Sequence, residues 1–129
     1  MPYTHFHYIA YQVPTVCYNE STKTYVNIAC GSAYNDLVDS DPGNSVVNAV
    51  RTLSNEDAKH RVSRLYLGVK KAYDKIQRIG LDSANVLKIF IAPEFYFRPT
   101  KNYGAQGQDG KNYPAYTYAE YNQIKNVLR

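Results

Sequence analysis

Val86-Leu87-Lys88-Ile89-Phe90-Ile91-Ala92-Pro93-Glu94-Phe95-Tyr96-Phe97 is the stretch on which the reading of this chain turns. It opens as a strand. Val86, Ile89, Phe90 and Ile91 are β-branched or aromatic, and only Lys88 interrupts the apolar run. Such continuity suits a strand buried on both faces better than one half in water. Pro93 has no N–H to give a ladder, so the strand ends there or runs along an edge. Glu94 follows at once, at the carboxyl end of the strand, where ligands bind in open α/β sheets. Among aromatics a carboxylate loses hydration, so its pKa is expected to rise toward values useful to a general base. The plainer role for Glu94 is a strand-end carboxylate that pairs with Arg98 or reaches water.

Working upstream, Val62, Leu65, Tyr66, Val69, Ala72, Tyr73, Ile76 and Ile79 recur at steps of three and four and predict a long amphipathic helix. Ser54 is the expected N-cap, with Glu56 and Asp57 in a first turn where the helix dipole favours anions. Gly80 is the expected stop. Arg61, Arg64, Lys71, Lys75 and Arg78 fall on the opposite face, read as the solvated side. Thr24–Cys30 is a good strand candidate, with Tyr18–Lys23 a polar turn before it. Strand, helix, strand in that order predicts a right-handed βαβ crossover, with Thr24–Cys30 and Val86–Ala92 parallel neighbours.

The remaining segments read as follows. Residues 33–55 are polar and turn-rich, with Asp39–Asn44 the clearest loop and Val46, Val47 and Val50 a short helical turn inside it. Tyr3 to Gln12 alternate weakly. His5 and His7 share one face there, but two histidines are too few for a metal site. Gly104 to Gly110 reads as a loop that lacks the Gly-Lys-Ser/Thr ending of a phosphate cradle. Tyr118 to Leu128 reads as a second helix.

Bulk properties bound the function classes. With 129 residues, 44% hydrophobic and 20% charged, the chain has one domain's worth of core and is not of disordered composition. No apolar run reaches the ~18–20 residues of a membrane span, and no signal peptide is read at the amino terminus. Cys17 and Cys30 make neither a disulfide framework nor a zinc pattern, so the cytoplasm is expected. Net charge is +4 with a pI near 9.0. Seven basic and four acidic residues between Glu56 and Asp82 supply +3 of it. Fourteen tyrosines and no tryptophan leave open a small non-enzymatic module that pairs with a partner or stacks on single-stranded nucleic acid. No nucleic-acid motif is present to support the latter.

Ile89-Phe90-Ile91-Ala92-Pro93-Glu94-Phe95-Tyr96 resembles the first catalytic block of the nitrilase (carbon–nitrogen hydrolase) superfamily, in which an apolar strand runs into Pro-Glu and an aromatic segment. The resemblance implies an α/β fold, the α-β-β-α sandwich of that family, of which this chain covers the amino-terminal part with its βαβ opening. Residues 1–129 then form a single partial domain, 24–129 being the family-like region and 1–23 an extension. It also implies a Glu–Lys–Cys triad that cleaves amides or nitriles through a thioester, with no cofactor. Glu94 matches the general base, and Phe95 and Tyr96 are candidate pocket walls. The Lys and Cys have no counterparts: Lys101, Lys111 and Lys125 stand in the wrong context, and Cys17 and Cys30 precede the Glu. The chain alone is therefore expected to be inactive, and to form a homo-oligomer or pair with a missing carboxyl-terminal half.

Overall fold

A computed structural model describes residues 3–12, 16–19, 21, 24–27, 32–93, 96–97, 105–106, 112–113 and 116–129, with the backbone alone at 16–19, 24–27, 105–106 and 112–113. In chain order the elements are β1 (His5–Ala10), β2 (Val16–Asn19), β3 (Thr24–Asn27), α1 (Ala33–Ser40), α2 (Ser45–Arg51), α3 (Glu56–Arg78), β4 (Val86–Ile91), β5 (Ala105–Gln106), β6 (Asn112–Tyr113) and α4 (Tyr118–Val127). The chain is a mixed α/β protein.

Two sheets form. In one, β1 and β4 run parallel in the register Phe6–Leu87, Tyr8–Ile89, Ala10–Ile91. Their ladder is extended by Thr4 N–H donating to Asn85 O and Tyr11 N–H donating to Ile91 O. In the other, the order is β2-β3-β6-β5, with β2 and β3 antiparallel and β3 parallel to β6. The expected pairing of Thr24–Cys30 with Val86–Ala92 is therefore corrected. The Pro-Glu strand has a parallel partner separated from it by a long helix, but that partner is His5–Ala10. The residues 1–23, read as an extension, contain it. Strand composition favours Thr24–Cys30, and composition cannot choose among long-range pairings.

Strand β4 is also less covered than its sequence predicts. Its burial alternates, and Leu87, Ile89 and Ile91 remain 37%, 36% and 48% exposed. The one charged residue in the run is accommodated by reach. Lys88 extends its ammonium to Asp82 Oδ1 (2.7 Å) and Ser83 O (2.8 Å). That hydrogen bond holds the Asp82 carboxyl below the usual carboxylate range.

The tight core lies among the helices. Val50, Leu53, Ala58, Val62 and Ile124 form it, with Tyr34, Val46, Phe97, Tyr116 and Val127 packed around. Residues 33–55, expected as turn-rich with a short helical turn at Val46, Val47 and Val50, hold two helices that pack on α3 and on each other: that turn lies in α2, and α1 is unexpected. Asn44 caps α2 by accepting from Val46 N–H (2.8 Å) and donates to Tyr66 O–H on α3 (3.0 Å). The cap of α3 is Asn55, whose side chain accepts from Ala58 N–H. Ser54 instead donates through both its N–H and its hydroxyl to Gln123 Oε1 on α4. Asn55 also donates to Glu120 Oε1 (2.8 Å), and Glu120 closes a capping box with Thr117. The two helix starts are thereby tied together, and the Asn55 amide holds the Glu120 carboxyl below its usual range. Gly80, at φ +71°, ends α3 where a side chain would be strained.

Candidate functional site

The carboxyl ends of β1 and β4 lie side by side, and Tyr11, Pro93, Tyr96 and Phe97 follow directly from them. Tyr11 stacks its ring near Phe90 (5.7 Å) and Tyr96 (5.9 Å), and its hydroxyl accepts from Arg64 Nε at 3.0 Å. Helix α3 passes close behind. A Cβ built on Gly68 would stand 3.4 Å from the Tyr11 ring and 3.7 Å from Phe90.

The segment after β4 is pinned from α3. Tyr96 N–H donates to Pro93 O (3.2 Å). Tyr96 O–H donates to Arg61 O (2.9 Å), while Arg61 Nη1 donates to Tyr96 O (3.2 Å). Tyr96 is only 3% exposed. Expected as a pocket wall, it is here a reciprocal clasp between the end of β4 and α3. Glu94 and Phe95 lie outside the described residues, as do Cys30, Lys101 and Lys111. Lys125 is on the exposed side of α4.

Beneath the clasp sits a polar cluster that the sequence reading placed on the wrong side of the helix. Arg61, taken as part of a solvated basic face, is 1% exposed. Its Nε donates to Asp57 Oδ2 at 2.6 Å and its Nη2 to Asp57 Oδ1 at 3.3 Å. Tyr116, arriving just before α4, donates its hydroxyl to the same Oδ2 at 2.6 Å. Burial first, and then the Asp57 carboxylate, push the Tyr116 hydroxyl far above the usual phenol range, so it stays a donor. The sequence did carry one signal for this. Asp57 and Arg61 stand at i and i+4, with the acid toward the helix start, which is the favourable order for an ion pair. A largely buried, bidentate pair that also holds the Tyr116 hydroxyl and the Tyr96 carbonyl is rigid. It fixes where the chain emerges from β4.

Next to this frame an open groove of ≈660 Å³ runs between α1 and α3 beside Tyr11, with Asp36, Ser40, Arg64, Lys70 and Asp74 among its lining. Lys70 is paired with Asp74 at 3.2 Å. Among the described residues no group of three or more His, Cys, Asp or Glu is placed to hold a metal ion. No described helix is long and apolar enough to cross a membrane. Compared with family models, curated proteins and solved structures, the chain matches none.

Proposed function

We propose that this chain supplies the general-base side of a nitrilase-type carbon–nitrogen hydrolase site, with Glu94 as the base and a small amide or nitrile as substrate. The observation that carries the reading is the clasp. Pro93 and Tyr96 bracket the Glu94–Phe95 pair, and both are held at the carboxyl ends of two parallel strands, where α/β sheets bind ligands. The buried Asp57–Arg61–Tyr116 cluster stiffens that place from behind, as a catalytic group requires of its support. In this chemistry the carboxylate takes the proton from a thiol and later from water, while a lysine steadies the oxyanion. The thiol and the lysine of this reading are contributed by a partner polypeptide. We place the reaction in the cytoplasm, in keeping with the two unpatterned cysteines.

The test is ammonia release from a panel of small amides and nitriles, using the chain together with any polypeptide that co-purifies from its native cells. Glu94→Gln is expected to leave thermal stability nearly unchanged and to lower turnover by at least ~10²-fold, the usual scale for a lost general base. Equal turnover by parent and variant would make Glu94 structural. The non-enzymatic alternative also has support, in the form of the uncovered apolar sheet face described next. That feature favours a protein partner over nucleic acid.

A further inference from the structure

The face of the β1/β4 sheet that points away from α3 carries Phe6, Tyr8 and Ala10 on one strand and Leu87, Ile89 and Ile91 on the other. All six are apolar or aromatic, and all six are exposed, Phe6 by 67% and Tyr8 by 62%. A parallel sheet is ordinarily covered on both faces. We propose that this face is the interface of an isologous dimer, covered by the same face of a second copy of the chain. The proposal uses none of the residues of the proposed hydrolase site.

Three features favour a second copy as the occupant. The six side chains carry no charge, so two copies meet without stranding an ion in a dry interface. The face holds both a projection and a hollow. Tyr3, Thr4, His5, Phe6, Leu87 and Ile89 line a shallow depression of ≈250 Å³, and Tyr8 stands beside it, outside the lining. A two-fold axis between them lets each Tyr8 enter the partner's depression, where the Thr4 hydroxyl can meet its phenol. The area is also sufficient. With Tyr3 included, the patch exposes roughly 500–600 Å² of apolar side chain per copy. Two copies can then bury up to ~1,000–1,200 Å², the lower bound for a specific interface. Sheets facing in this way pack about 10 Å apart. An interface of this size belongs to the weak, reversible class.

The experiment is sedimentation velocity on the full chain, from about micromolar to several hundred micromolar. A reversible monomer–dimer equilibrium is expected, and Ile89→Lys and Tyr8→Lys should each weaken it at least tenfold. Methyl NMR of the unaltered chain over the same range makes the test independent of how the variants fold. Leu87, Ile89 and Ile91 resonances should move with concentration, and those of Val62 and Ile76 should stay fixed. A chain that is monomeric throughout overturns the proposal, including one that instead binds lipid vesicles or a different protein through this face. So does a dimer that both lysine variants leave intact.

Discussion

The two faces of the β1/β4 sheet differ in residue type and in surroundings, and the more apolar of them is the less covered. The inner face carries Ile9, Val86 and Phe90 together with His5, His7 and Lys88, and its Phe90 ring lies against Tyr11 and against Gly68 of α3. The outer face sets Phe6, Tyr8, Leu87, Ile89 and Ile91 toward solvent. The difference teaches what an unbroken apolar strand encodes. Alternation would have specified one cover; a continuous run specifies two, and α3 provides only the first. The polar residues confirm the division of labour. The buried ion pair, its phenol partner and the clasp to Tyr96 all belong to the α3 side.

The comparison breaks most visibly at Arg61. Arg61→Ala takes the guanidinium from Asp57 and one donor from Tyr96 O, so the chain should lose about 3 kcal/mol of stability by denaturant unfolding, the low end for a pair whose acid is partly exposed. A loss below ~1 kcal/mol would show that the α3 side is not the rigid one. Next in size is the pair Phe90→Ala and Ile89→Ala, neighbours on opposite faces. Phe90→Ala opens a gap against Tyr11 and should cost ~2–3 kcal/mol. In dilute solution Ile89→Ala should cost less than ~1 kcal/mol, since its side chain is still partly in water. Equal costs would erase the distinction between the faces. The smallest effects belong to the glycines of α3. A Cβ at Gly68 meets ordinary contacts, so Gly68→Ala should stabilise by about 0.5–1 kcal/mol through helix propensity, whereas Gly68→Leu should collide with the Tyr11 and Phe90 rings. Gly80→Ala meets empty space but a positive φ, and should cost about 1 kcal/mol. Thermal melts of the three variants, read side by side, sharpen how closely α3 sits on the inner face.

Much of this architecture was legible. Helix α3, its stop at Gly80, the end of the strand before Pro93 and the helix over Tyr118–Val127 follow from periodicity and from residues with one conformational use. What escaped was nonlocal. His5–Ala10, with two histidines and weak alternation, looks a poorer strand than Thr24–Cys30, yet it is the one that pairs with β4. Helix α1 is rich in Asn, Asp and Ser, and α2, foreseen only as a short turn, is rich in β-branched Val, so both are of modest helix propensity. They are held by tertiary contacts such as Tyr34 N–H donating to His60 Nδ1 (3.1 Å). Arg61 adjoins Val62 of the apolar stripe, and no helical wheel distinguishes a solvated arginine from one clasped between Asp57 and Tyr96. Of the candidate site, Tyr96 can be placed, buried and clasped to Arg61. Glu94 and Phe95 lie outside the described residues.

The most direct measurement is hydroxyl-radical footprinting of the aromatic side chains at low and at high protein concentration. Phe6 and Tyr8 on the outer face should be strongly labelled in dilute solution and lose labelling as concentration rises. Phe90 and Tyr96 should be protected at both. An outer face labelled equally at every concentration, or as protected as Phe90 in dilute solution, would contradict a sheet with one cover of its own and a second that it must recruit.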